Sequence, residues 1–348
     1  HMSFTFIDLF AGIGGMRLGF EAAGGHCVYT SEIDKFSAQT YAANFLCAHP
    51  IVGDITKIDA ETIPDHDVLV AGFPCQSFSK GGYATKLRLN QPHGFADLTK
   101  GTLFFDVARI LAAKRPQAFL LENVKNLVLH DKGETFKVIK RVLEELGYQL
   151  QYRVIEGGSF VPQHRERVMI VGFREFTAFT LNALVAGLPS KEGHTLASIL
   201  HRVDGTEPQL THDGDRFFSH SEQRVLAKYT HSDKLWAWLQ GHIAKHQARG
   251  NRFNVGLVTP AFRSRTLSAR YSKDGSEILV VQEGQNPRKL TPRECARLQG
   301  FPDSFKIPVS NQQAYKQFGN SVVVPLVECL AKGITPFLTG EDTASTAV

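Results

Sequence analysis

The feature that most constrains this chain is its opening. An apolar run, Thr5-Phe6-Ile7-Asp8-Leu9, passes into Phe10-Ala11-Gly12-Ile13-Gly14-Gly15, after which the pattern predicts a helix over about 16–23. Strand, glycine turn and helix in that order begin a nucleotide-binding α/β unit with a parallel sheet. The glycines do not follow the G-x-G-x-x-G spacing, so no pyrophosphate cradle is indicated. A second strand over 27–31 ends at Glu32, twenty residues beyond Gly12, where a carboxylate commonly holds ribose hydroxyls. A third carboxylate follows in Gly53-Asp54-Ile55-Thr56. Phe10 with Asp8, Glu32 and Asp54 suits an adenosine ligand that bears positive charge and no phosphates. S-adenosylmethionine, a sulfonium, is such a ligand. Taken singly, each acid is as well explained as a helix cap or a solvated loop carboxylate.

A fourth apolar run, Asp67-Val68-Leu69-Val70-Ala71, ends in Gly72-Phe73-Pro74-Cys75-Gln76-Ser77. Open α/β sheets place ligands at the carboxyl ends of their strands. Pro74 fixes its own φ and holds its predecessor extended, so Cys75 is presented on a stiff corner and reads as a nucleophile. The run Ala118-Phe119-Leu120-Leu121 ends likewise in Glu122-Asn123-Val124, which puts that carboxylate on the same rim. The strands expected over 148–154 and 168–173 flank Pro162-Gln163-His164-Arg165-Glu166-Arg167, where alternation directs Arg165 and Arg167 to one side. Directly after Cys75, residues 77–100 form a polar, glycine-bearing, basic stretch long enough to serve as a lid. Near the end, Thr291-Pro292-Arg293-Glu294 has the pattern of a capping box with proline at the first helical position.

Composition sets the class. The 348 residues are 43% hydrophobic, enough for a large core, and no apolar run is long enough to span a bilayer. The five cysteines are odd in number and form no C-x-x-C pair, so neither a disulfide framework nor a metal site is expected. A reducing cytoplasm suits a free thiol nucleophile. The net charge of +5 is matched by the segment from Arg174 to Lys289, with 16 basic against 11 acidic residues. Within it, Lys245, Arg249, Arg252, Arg263, Arg265, Arg270 and Lys273 alternate with Phe253, Phe262 and Tyr271. Such a stretch is either a solvated face or a surface for phosphates and bases.

Taken together these blocks resemble the DNA (cytosine-5) methyltransferase family, over about residues 4–338 and in unpermuted order. They are Asp8-Leu9-Phe10-Ala11-Gly12 with Gly14-Gly15, Pro74-Cys75-Gln76, Gly101-Thr102-Leu103, Glu122-Asn123-Val124, Gln163-x-Arg165-x-Arg167, Leu290-Thr291-x-Arg293-Glu294 and Gly319-Asn320-Ser321-Val322. His246-Gln247-Ala248-Arg249-Gly250-Asn251 and Arg265-Thr266-Leu267-Ser268-Ala269-Arg270-Tyr271 are similar to its Dcm-like branch. The resemblance implies a Rossmann-like α/β methyltransferase sheet, mostly parallel with an antiparallel last strand. It assigns 3–180 and 306–338 to the catalytic domain, 181–305 to a smaller, irregular target-recognition domain, and 339–348 to a tail. It implies Cys75, Glu122, Arg165 and Arg167 as catalytic residues. S-adenosylmethionine, leaving as S-adenosylhomocysteine, is expected against Asp8, Phe10, Gly12, Gly14, Glu32, Ile33, Asp54, Ile55, Leu103, Asn320 and Ser321. Ile33 stands where many relatives carry an aromatic, which makes one face of the adenine site aliphatic. Duplex DNA is expected against Ser77, Lys80, Arg249, Arg252, Arg263, Arg265, Arg270 and Tyr271, at a palindrome of the CC…GG type. The implied partner is DNA, with a restriction endonuclease as functional counterpart but no stable complex, and the chain is expected to be monomeric and cytoplasmic. A tRNA-directed cytosine methylase and a DNA-binding regulator without catalysis are the competing readings. The first lacks here the Cys-Phe-Thr signature of that branch, and the second is opposed by the presence of Cys75 and Glu122.

Overall fold

The computed structural model describes residues 3–46, 48–76, 102–251 and 254–339. Its centre is a seven-stranded sheet. The strands are β1 (Phe4–Leu9), β2 (Gly25–Ser31), β3 (Ile51–Val52), β4 (Val68–Gly72), β5 (Ala118–Val124), β6 (Gln149–Glu156) and β7 (Glu166–Phe173). They lie in the order β3-β2-β1-β4-β5-β7-β6. All neighbours are parallel except that β7 runs antiparallel to both β5 and β6. Strand order reverses between β1 and β4, which opens a crevice at their carboxyl ends.

The strands read as continuous apolar runs because both faces are covered. Ile7, Leu9, Leu69, Ala71, Leu121 and Ile170 bury one face against helices α3 (Leu103–Lys114) and α4 (Glu134–Glu145). Phe6, Val68, Val70, Leu120 and Met169 bury the other against α1 (Gly15–Ala22) and a late helix, α9 (Val324–Ile334). Helices α1 and α9 approach so closely that a Cβ on Gly19 would lie 2.8 Å from the backbone nitrogen of Glu328. Between β2 and β3 runs α2 (Lys35–Asn44), begun by Asp34, whose carboxylate accepts from the Ser37 amide.

Beyond β7 the chain builds a second unit of small elements. These are α5 (Leu181–Ala186), a β8–β9 pair (Phe218–Ser219, Arg224–Val225), α6 (Asp233–Ala248), and a three-stranded sheet of β10 (Leu257–Val258), β11 (Leu279–Gln282) and β12 (Gln285–Lys289). Two helices follow, α7 (Pro292–Leu298) and α8 (Asn311–Gly319). Their core joins Leu196, Phe217, Tyr271, Leu290, Leu298 and Phe318 to Ala11, Ile13, Tyr41 and Phe45 of the first unit. Alternation of strand and helix signals does fade after residue 174, yet α6 is sixteen residues long. Its apolar stripe, Leu235, Trp236, Leu239 and Ile243, is narrow, and only Leu239 is fully buried, so it did not stand out in the sequence. Among the described residues no helix is long and apolar enough to cross a membrane.

The capping box at α7 is formed: Thr291 accepts from the Glu294 amide, and Glu294 accepts from the Thr291 amide. The same buried carboxylate receives Arg288 at 2.7 and 2.9 Å. Next to it Arg293, fully buried, donates to both oxygens of Asp213 at 2.7 and 2.9 Å and to the Phe305 carbonyl. Breaking a buried ion pair by removing one partner typically costs about 3–5 kcal/mol, because the other charge is stranded. Asp213→Ala should therefore lower the unfolding free energy by about that much in urea titration, and Asp213→Asn by distinctly less.

Candidate functional site

The crevice between β1 and β4 is a cavity of about 520 Å³ whose walls come from the carboxyl ends of β1, β2, β4 and β5, the start of β7, and residues 316–322. Its two ends differ in chemistry.

At one end the wall is acidic and partly aromatic. Phe10 turns the chain out of β1 with φ 51°, a left-handed conformation that a bulky residue adopts only under constraint. Gly12 follows at φ 55° and donates its amide to Glu32 at 2.7 Å. The other Glu32 oxygen accepts from the Asp34 amide at 2.8 Å. Burial pushes the Glu32 carboxyl above its usual range, while those amides pull against it. Asp54 is held low by the Thr56 hydroxyl and amide. Ile55, buried below, is fixed through its carbonyl by Arg109, whose Nε is paired with Asp106. Leu103 donates its amide to the Gln76 side chain at 2.8 Å, which ties the start of α3 to the residue after Cys75. Asn320 and Ser321 form the facing wall. A Cβ on Gly15 would sit 2.8 Å from the Ser321 hydroxyl, so glycine there lets the two walls meet. Ile33 is on the lining and 71% exposed, an aliphatic lip.

Phe10, Gly12, Glu32, Ile33, Asp54, Ile55, Leu103, Asn320 and Ser321 thus share one cavity. Asp8 and Gly14 do not line it and are corrected. Asp8 is 1% exposed beneath the loop and accepts from the Tyr41 hydroxyl at 3.0 Å. Gly14 sits at the start of α1 with φ 94°, and a Cβ there would strike the Phe45 ring, so its glycine serves helix entry and packing.

At the other end stand the thiol, a carboxyl and two guanidinium groups. Cys75 follows β4 by three residues and is exposed, and burial of its sulfur on one side pushes the thiol up. Asn123 donates to the Phe73 carbonyl at 2.9 Å, which locks the cysteine turn to the end of β5. Glu122 is opposite Gly72 in the β4–β5 register, and its Oε2 is 3.0 Å from where a Gly72 Cβ would be. Burial pushes the Glu122 carboxyl up, against the pull of Arg167 and then Arg165. Arg167 Nε is 3.5 Å from Glu122 Oε1. That is a loose ion pair with space between its groups.

Arg165 lies on the same side as Arg167 and touches the cavity, but its terminal nitrogens are committed elsewhere. They donate to Gln163 Oε1 and to the carbonyls of Leu267, Gly319 and Ser321, at 3.2, 2.6, 2.9 and 2.8 Å. These bonds fix the Arg165 guanidinium at the cavity wall. Burial lowers its pKa to about 9, with Arg167 adding to the effect.

Of the surface expected to meet DNA, Arg249, Arg263, Arg265 and Arg270 are exposed. Ser77, Lys80 and Arg252 lie outside the described residues. Tyr271 is corrected, since it is fully buried. Its hydroxyl donates to the Ile278 carbonyl and accepts from the Leu290 amide, at 2.7 and 2.8 Å. The sequence reading missed Gln163, which is fully buried and accepts from the Leu267 amide at 3.0 Å. It also missed the tie from Gln76 to Leu103. Both lie inside blocks singled out by sequence, but their partners are distant in the chain.

Residues 4–335 match the family model described as C-5 cytosine-specific DNA methylase. The chain is 44% identical to the DNA-cytosine methyltransferase of Escherichia coli K12, over 97% of this chain and 78% of that protein. It is 50% identical to the Type II methyltransferase M.NlaX of Neisseria lactamica, over 94% of this chain and 95% of that protein. Among solved structures, the Schizosaccharomyces pombe Dnmt2 methyltransferase superposes with a TM-score of 0.67 at 17% identity, over 97% and 99% of the two chains. At that identity the likeness is one of fold alone.

Asp8 generates a prediction separate from catalysis. Burial raises its carboxyl from 3.8 to about 7, so the stability it contributes is complete below about pH 4 and is lost as pH rises through 7. Asp8→Asn should remove that loss. In thermal melts the variant should gain on the parent as pH goes from 5 to 8, with cofactor affinity little changed.

Proposed function

Because the chain belongs to the C-5 cytosine-specific DNA methylase family, whose model spans residues 4–335, we propose that it methylates carbon 5 of one cytosine in a palindromic duplex site of the CC…GG type. The names of the Type II relatives favour a role in protecting host DNA from a partner nuclease. The observation that carries the chemistry is the pairing of an exposed thiol, Cys75, with a buried carboxyl held above its usual range, Glu122, on the walls of one cavity.

The residues of the acidic end fit a cationic adenosine ligand. In this reading Glu32 holds the ribose hydroxyls and Phe10 and Ile33 face the adenine, all three being on the cavity lining. S-adenosylmethionine would be held there and supplies an electrophilic methyl group.

The target carbon is buried within a duplex, so the base must be swung out to reach the cavity. Carbon 5 of cytosine is a weak nucleophile. Once its proton has passed to a water, the Cys75 sulfur adds to carbon 6, forming a C–S bond and breaking the carbon 5–carbon 6 π bond, which leaves an enamine nucleophilic at carbon 5. Glu122 in its protonated form donates to ring nitrogen 3 and neutralises that charge. Burial, which raises its pKa, favours that protonated form. In this reading Arg167, 3.5 Å from Glu122, binds the carbonyl oxygen at position 2. After methylation, loss of the carbon-5 proton to a water and departure of the sulfur restore the aromatic ring.

Labelled methyl transfer from S-adenosylmethionine to plasmid DNA tests this. Cys75→Ala should reduce incorporation to background, and activity that persists would refute the covalent route. Glu122→Gln should cost on the order of 10²–10⁴ in rate, the usual worth of a positioned acid. The contribution of Glu122 is lost as pH rises through its raised pKa, and Glu122→Gln should abolish that decline. Duplexes carrying 5-fluorocytosine at the mapped site should form a stable adduct with the parent protein but not with Cys75→Ala, and total tRNA should accept no methyl.

A further inference from the structure

Lys316 and Gln317 line the cavity and have no part in the chemistry above. Gln317 belongs to α8 and is 5% exposed. Its Oε1 accepts from the Thr40 hydroxyl of α2 at 2.8 Å. Its Nε2 is buried and has no hydrogen-bond partner. Buried polar side-chain atoms are nearly always paired, because an unpaired one keeps its full desolvation penalty. An unpaired donor on the wall of a cavity points to an acceptor on the ligand.

Gln317 sits where two walls of that cavity meet. Thr40 lies one turn after Ser37 on α2, so the two share a face, and Asp34 and Ser37 line the cavity with Glu32. On the other side the chain runs from Gln317 to Asn320 and Ser321, which form the facing wall.

The charges at this end decide what the acceptor is. S-adenosylmethionine carries a sulfonium, an ammonium and a carboxylate. Glu32, Asp34 and Asp54 on the lining attract its cations and repel its carboxylate. Among the described residues, the cationic side chains on the lining are Arg165, Arg167 and Lys316. Arg165 is engaged with backbone carbonyls, and Arg167 faces Glu122 at the other end. Lys316 is exposed, adjoins Gln317 and has no ion pair among the described residues. Lys316 and Gln317 thus join a positive charge at the rim to a neutral donor in the wall.

We propose that Gln317 and Lys316 form the subsite for the carboxylate of the cofactor's amino-acid arm. The inference rests on the methylase reading. Gln317 donates through Nε2 while its Oε1 stays on Thr40, so the side chain is held before the ligand arrives. Lys316 supplies charge on a flexible stem. The pair makes the site select adenosine ligands that carry an amino acid over those that have lost the carboxylate.

The test is calorimetric titration of the full chain with S-adenosylhomocysteine and with its decarboxylated analogue, which keeps the adenosine, the sulfur and the amine. The parent should bind the first at least tenfold more tightly. Lys316→Ala and Gln317→Glu should each lower that preference by about fivefold or more, through weaker binding of S-adenosylhomocysteine. Affinity for the analogue should stay within twofold of the parent, which reports an intact adenosine site. Gln317→Glu keeps an acceptor for Thr40 and removes the donor, so its loss does not come from the contact between helices. Lys316 is exposed, so Lys316→Ala decides the case even where Gln317→Glu fails to fold. A parent that binds both ligands alike, or a preference unchanged in either variant, overturns this inference while the methylase reading stands. Equal weakening of both ligands in Gln317→Glu marks a structural tie alone and overturns it as well. A parent that binds neither ligand and methylates no duplex overturns both.

Discussion

One buried guanidinium holds three parts of this chain together. Arg165 begins the approach to β7, and its terminal nitrogens reach Gln163 beside it, Leu267 in the recognition segment, and Gly319 and Ser321 in the cofactor wall. It is 2% exposed, so each of those bonds is made away from water. Three of the acceptors are backbone carbonyls. Buried carbonyls left unpaired each carry a desolvation penalty of about 1–3 kcal/mol. The walls of the cavity are therefore not three independent surfaces. Where β7 starts, where the segment around Leu267 runs and where Ser321 faces Gly15 are all set by one planar group. Lysine could not replace it, since its single ammonium lacks the fixed fork that reaches acceptors on two sides.

This clamp explains how two incompatible environments coexist in one cavity. The end near Glu32 and Asp54 favours positive charge, and its carboxylates are oriented by the amides of Gly12, Asp34 and Thr56. The end near Cys75 concentrates guanidinium groups around a single carboxyl. Glu122 stays high despite Arg167 because burial outweighs attraction, and the loose separation of that pair leaves its oxygens available. The commitment of Arg165 to backbone carbonyls keeps one positive charge near the site but out of contact.

The sheet was legible in the sequence for a physical reason. Stretches such as 68–71 and 118–121 are fully buried and appear as unbroken apolar runs, and Cys75 and Glu122 follow them. The motif blocks fell on the rim for the same reason. What sequence could not show was depth. Asp8 and Tyr271 are polar residues within significant blocks, but both point into the core and satisfy each other's kind of partner, a hydroxyl for the one and backbone groups for the other. Alternation correctly put Arg165 and Arg167 on one side, yet the carbonyls that hold Arg165 lie more than a hundred positions away. Helix α6 was missed because it packs only on Val255 and Leu279, through a narrow stripe of Leu235, Trp236, Leu239 and Ile243 of which one residue is fully buried.

The state of Cys75 follows from the same arrangement. Activated cysteines commonly owe a lowered pKa to a cation or helix terminus in direct contact. Here burial raises the thiol, and the guanidinium groups of the site are engaged with Glu122 and with backbone carbonyls. Burial that raises the thiol favours its protonated, less nucleophilic form. In the proposed reaction the pyrimidine supplies the reactivity: a hydrogen bond from protonated Glu122 to nitrogen 3 makes the ring the better electrophile, and the sulfur adds only to a correctly seated base. Placing the acid, and not the nucleophile, under the strongest electrostatic control makes the chemistry conditional on the base that occupies the cavity.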